Sequence, residues 1–171
     1  MAGQRRIIHQ GRVVDLGIEA VRLPDGSELE LEVVRHPGGA AVVAVDAHGR
    51  ICLLRQYRHA AGGWLWELPA GKLDPREAPA TAARRELEEE AGVRAADWQS
   101  LGQILTTPGF CDERIHLYLA RDLTPVGQRL EAHECLEVHW LERAEIERRL
   151  ENDELSDAKT LIGLYRALPR L

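Results

Sequence analysis

A chain of 171 residues with a formal net charge of −6 is long enough to bury one core and too short for two ordinary domains. Its content, 44% apolar and 29% charged, is that of a folded chain, and the acidic balance argues against a nucleic-acid backbone as partner. No apolar run is long enough to cross a membrane, and residues 1–6 lead into no signal-peptide core. Cys52, Cys111 and Cys135 lack the spacing of a disulfide frame or zinc site, so a cytoplasmic protein with reduced thiols is expected.

Residues 7–21 alternate loosely and predict a first short strand pair. Pro24-Asp25-Gly26 is a turn signal, and Leu29, Leu31 and Val33 alternate as a returning strand. This N-terminal β segment, residues 1–38, ends in the hinge His36-Pro37-Gly38-Gly39. Beyond it residues 39–171 form the main domain. Residues 40–45 are a continuous apolar run, the pattern of a strand covered on both faces. Asp46-Ala47-His48-Gly49 reads as a hairpin turn leading to a strand over 51–54. Another strand over 64–68 delivers Pro69-Ala70-Gly71.

A helix follows Pro75 and Pro79 and ends at Gly92, which suits a left-handed cap. It contains Arg85-Glu86-Leu87-Glu88-Glu89-Glu90. At about 100° per residue, Glu86, Glu89 and Glu90 share one face, Glu88 points elsewhere, and Ala80, Ala83, Leu87 and Ala91 make an apolar stripe. Three like charges on one face repel unless a cation sits there, and hard oxygen donors at this spacing suit Mg²⁺ or Mn²⁺. Strands are predicted over 98–106, 114–120 and 136–141, with the loop Thr107-Pro108-Gly109-Phe110 between the first two. Helices are predicted over 143–150 and 157–168, the second with Ser156 as N-cap. The order implies a mixed sheet between helices over one core.

Gly71, then Glu77 after five residues, Arg85-Glu86-Leu87 after seven more, Glu89-Glu90 and Gly92-Val93 together resemble the Nudix box at every specified position. The resemblance implies the Nudix α/β/α sandwich with a mixed sheet, here preceded by the short N-terminal β-hairpin segment. It implies metal-dependent cleavage of a nucleoside diphosphate linked to a further group. By the same resemblance Glu86, Glu89 and Glu90 bind the metal with the Ala70 backbone carbonyl. Arg85 pairs with Glu77 to hold the loop against the helix. Glu134, or failing it Glu131, is the base in a mobile loop before the last strand; His133 beside them is a further acid or base by its chemistry.

Within the superfamily, Thr107-Pro108-Gly109-Phe110 followed by Asp112-Glu113 resembles the ADP-ribose pyrophosphatase subfamily, as do Arg55-Gln56-Tyr57-Arg58 and Trp66-Glu67-Leu68-Pro69. This implies hydrolysis of ADP-ribose to AMP and ribose 5-phosphate by a homodimer whose N-terminal segment is exchanged with, or packed on, a partner subunit. Pro108, Gly109, Phe110 and Arg58 then contact substrate, and Arg35 is presented to it across the dimer. One departure is visible: where some relatives stack adenine between two aromatics, the corresponding positions here are Val13 and Glu30. Another nucleoside diphosphate sugar, such as a GDP- or UDP-hexose, is the alternative substrate. A non-catalytic ADP-ribose-binding module is a further alternative, but sensors of that kind lose box carboxylates, and this box is intact.

Overall fold

The computed structural model describes residues 5–130, 132 and 134–171. Three strands, β1 (Arg5–Gln10), β2 (Asp15–Arg22) and β3 (Glu28–Arg35), form an antiparallel sheet of their own. The turn signal at Pro24-Asp25-Gly26 lies between β2 and β3: Gly26 adopts a positive φ, and Asp25 accepts hydrogen bonds from the Ser27 amide and hydroxyl. Ile7, Ile8, Leu29 and Leu31 remain exposed on this sheet.

The rest of the chain is built around β4 (Gly39–Ala44), whose six residues are all buried. It pairs parallel with β9 (Arg114–Pro125) and antiparallel with the short β7 (Ala70–Lys72), and β8 (Val93–Leu105) completes a sheet of order β7-β4-β9-β8. Alternate residues of β4 serve two cores, as the period of a strand requires. Ala40, Val42 and Ala44 face Ala82, Ala83 and Leu87 of helix α1 (Pro79–Ala91). Ala41 and Val43 face the cluster that contains Ile146 of α2 (Arg143–Glu151) and Leu164 and Ala167 of α3 (Ala158–Ala167). The α/β class and the mixed sheet expected from the sequence are both present.

Several local expectations change. The turn at 46–49 forms, with Asp46 accepting from the His48 and Arg50 amides, but the strands it joins part company. Only one bridge, Val45 to Ile51, links them; β5 (Ile51–Arg58) instead lies between β10 (Leu136–Leu141) and β6 (Gly63–Glu67) in a second sheet. Both flanking strands are apolar runs, and such runs do not say which sheet they will join. Of the expected stripe of α1, Ala83 and Leu87 are fully buried together with Ala82, while Ala80 and Ala91 are half-buried. The N-cap of α3 is Asp157, not Ser156: its carboxylate accepts from the Thr160 amide at 3.0 Å and from the Thr160 hydroxyl at 2.6 Å. An ionised acceptor makes the stronger cap. No helix among the described residues is long and apolar enough to cross a membrane.

Candidate active site

The start of β4, the end of β5, the short β7, the exposed side of α1 and the start of α3 line a cavity of about 760 Å³. Gly92 ends α1 at φ 69°, a left-handed conformation that glycine adopts without strain. The length of α1 and its apolar contacts with β4 turn Glu86, Glu89 and Glu90 into the cavity, while Glu88 leaves it and pairs with Arg94 at 2.7 Å.

Arg85 ties this face together. Its Nε and Nη2 donate to the two oxygens of Glu77 at 3.1 and 3.0 Å, and Nη2 also donates to the Lys72 carbonyl at 3.1 Å. Its Nη1 reaches Glu86 at 2.6 Å and Glu89 at 3.2 Å. Glu77 in turn accepts from the Asp74 amide at 3.0 Å, closing the loop between β7 and α1.

The two deepest carboxylates of the box are Glu86, 8% exposed, and Glu90, 2% exposed. Burial pushes both carboxyls up. For Glu86, Arg85 opposes that rise while Glu89 and Glu134 add to it. Glu90 is pushed to about 8: the Ala70 amide, which donates to its Oε2 at 2.8 Å, only partly offsets burial and the charges of Glu86 and Glu134. Buried oxygen donors whose mutual repulsion is this strong suit a hard divalent cation. The backbone makes room for them, since a Cβ on Gly71 would sit on the Glu86 carboxylate. The donor set thus fits the metal that the box implies, although among the described residues no three carboxylates are already drawn into a ligating cluster.

The remaining expected residues divide. Glu134 lines the cavity, and its charge acts on both Glu86 and Glu90. Glu131 and His133 lie outside the described residues. Arg58 lines the cavity with its guanidinium held on both oxygens of Glu67, each at 2.9 Å. Pro108, Gly109 and Phe110 do not form its wall, whereas Thr106 and Thr107 do. Phe110 is exposed, and its carbonyl accepts from the Val34 amide at 2.7 Å, joining this loop to the N-terminal sheet. Arg35 is also outside the cavity wall; it bonds Glu19 at 2.7 Å and Asp112 at 2.9 Å within its own chain. Val13 reaches the cavity, and Glu30 does not.

Sequence reasoning passed over Glu67 and Lys159. Lys159 Nζ lies 2.7 Å from Glu67 Oε2 and 3.0 Å from Asp157 Oδ1, and it too lines the cavity. Two signals were available. A carboxylate inside the otherwise apolar run Trp64-Leu65-Trp66-Glu67-Leu68 asks for a buried partner. In addition, Lys72 and Lys159 are the only lysines of a chain with twenty arginines, and both line the cavity.

An acidic helix laid against a mixed sheet, with arginine and lysine lining the same cavity, is the arrangement of an enzyme acting on a phosphorylated small molecule. The chain belongs to the NUDIX domain family, whose model matches residues 35–162. It is 41% identical to the ADP-ribose pyrophosphatase of Mycobacterium tuberculosis H37Rv over 160 residues, 92% of this chain and 77% of that one. It is 39% identical to the ADP-ribose pyrophosphatase of Bacillus subtilis 168 over 159 residues, 92% of this chain and 86% of that one. A crystal structure of an ADP compounds hydrolase superposes with a TM-score of 0.80 at 22% identity, over all of this chain and 96% of that one, which shows the shared fold.

Proposed function

We propose that this protein hydrolyses the diphosphate of ADP-ribose to AMP and ribose 5-phosphate, using Mg²⁺, for which Mn²⁺ substitutes. The observation that carries the reading is the intact set of box carboxylates under the cavity, in a chain about 40% identical to two proteins named ADP-ribose pyrophosphatase. The metal would be held by Glu86, Glu89 and Glu90 with the Ala70 carbonyl, and when bound it neutralises diphosphate oxygens and polarises water. Arg85 and Glu77 hold the acidic face in place. Glu134 accepts the proton of the attacking water, a role that suits a carboxylate in the cavity wall outside the helix. Arg58 engages the diphosphate, with the 107–110 loop and Arg35 completing the substrate site from the side of the N-terminal sheet.

The working unit in this reading is a homodimer, with residues 1–38 as the dimerisation segment and 39–171 as the hydrolase domain. A three-stranded sheet with Ile7, Ile8, Leu29 and Leu31 exposed is marginal alone and gains from a second surface. Val13 supports a second reading of specificity, because an aliphatic wall stacks a base less well than an aromatic one. A GDP- or UDP-hexose is then the substrate of the same chemistry. Turnover on ADP-ribose, GDP-mannose, UDP-glucose and diadenosine polyphosphates, with Mg²⁺ and with EDTA, separates the two. EDTA-sensitive preference for ADP-ribose supports the first reading, and preference for a hexose diphosphate replaces it with the second.

A further inference from the structure

Two cations in the cavity wall, Arg58 and Lys159, share one buried carboxylate behind them. Glu67, at the end of β6, is 2% exposed; it accepts both arms of Arg58 from β5 on one side and the Lys159 ammonium from α3 on the other. Glu67 and Asp157 balance the charges of Arg58 and Lys159, and both cations line the cavity that the box glutamates make acidic. Lys159 is further fixed by Asp157, and Asp157 by its bonds to Thr160. The Thr160 hydroxyl accepts from the Leu68 amide at 2.9 Å, so the start of α3 is bonded directly to the residue after Glu67. The ammonium is thereby set at a fixed place relative to Arg58.

We propose that Lys159 is a second substrate-binding cation, which with Arg58 clamps the diphosphate, and that Glu67 is the positioning residue that sets the two cations at one spacing. The proposal rests on the reading of the substrate as a nucleoside diphosphate derivative. An ammonium has three donors, so Lys159 can take a phosphate oxygen while keeping Glu67 and Asp157. Arg58 offers a planar fork and Lys159 a compact point charge, and the pair meets a diphosphate at two places instead of one. The sequence pattern agrees, because a chain that otherwise uses arginine places both of its lysines at this cavity.

The test uses the full chain with Mg²⁺ and two probes that are not cleaved: the α,β-methylene analogue of ADP-ribose and methylenediphosphonate. Lys159→Met should weaken both by about tenfold or more, the scale of one charge-assisted contact, when measured at a temperature where its melting curve shows the variant folded. Lys159→Arg should restore most of the affinity. Glu67→Gln should weaken both probes and raise KM for ADP-ribose, and should cost less in the Lys159→Met background, because the two residues act on one ligand. Should Lys159→Met not fold, Glu67→Gln and Lys159→Gln carry the same measurement. Wild-type affinity for both probes in folded Lys159 variants overturns the clamp and leaves the proposed reaction standing. If the wild type neither cleaves ADP-ribose nor binds its analogue, the proposed substrate fails. Methylenediphosphonate then still decides the clamp, upheld if Lys159→Met weakens it and overturned if it does not.

Discussion

Gly71 and Glu86 are packed so closely that a methyl group on Gly71 would occupy the position of the Glu86 carboxylate. The substitution Gly71→Ala therefore acts on a residue fifteen positions away, while the sheet pairing of β7 is untouched. Turnover should fall at least about a hundredfold with weakened metal dependence, because a displaced ligand cannot share the cation. Thermal melting and metal titration of the variant check this, and normal metal titration would show that Glu86 can relocate freely.

Glu86→Gln and Glu90→Gln keep the shape of the site and remove its charge. Each should lower kcat by about a thousandfold or more if the residue binds the metal. Neither should unfold the protein, since burial holds both carboxyls up and a neutral amide relieves repulsion there. Steady-state kinetics beside a melting curve checks both halves of the expectation. A variant with wild-type activity would remove its residue from the ligand set.

The pH dependence of stability should carry a signature of Glu67. Burial acts to raise its carboxyl, and the bonds and charges of Arg58 and Lys159 outweigh burial, leaving it below the usual glutamate range. A group held below its unfolded value stabilises the fold above that value, about 4.3 for glutamate, and loses this contribution as pH falls through the folded one. The difference in melting temperature between wild type and Glu67→Gln should be widest near neutrality and close in acid. A difference independent of pH would contradict it.

Thr160→Val removes the hydroxyl that accepts from Leu68 and donates to Asp157 while keeping the volume. It leaves a buried amide without its partner, so denaturant unfolding should show a loss of about 1–3 kcal/mol. A loss under about half a kcal/mol would mean that the amide finds another acceptor.

If the working unit is the proposed homodimer, removal of residues 1–34 should abolish it and most activity together. Sedimentation and turnover on the truncated chain check this, and an active monomer would separate the N-terminal sheet from the site.

Much of the site was legible because its chemistry is written in local spacing. The carboxylates at 86, 89 and 90 lie on one face for geometric reasons alone, and Gly92 ends the helix where its conformational freedom is needed. Glu67 and Lys159 were not legible in the same way. They stand 92 positions apart and meet only because α3 packs across the ends of the sheets. The same limit explains the division of β4 and β5 between two sheets, since periodicity reports which residues are buried and not which strand they will meet. Asp157 could have been preferred to Ser156 from capping chemistry, but two adjacent capping residues differ by one position in register, which the sequence does not specify.

The bond between the Leu68 amide and Thr160, also 92 positions apart, and the parallel pairing of β4 with β9 set an order of events during synthesis. While the ribosome is still making the first hundred or so residues, β4 has neither its β9 neighbour nor the α3 layer, and Glu67 has Arg58 but not Lys159. Chains rich in such distant pairings fold slowly. The nascent polypeptide therefore leaves one apolar face of β4 without its α3 layer until about residue 160 is available, a period in which exposed apolar surface favours association between chains.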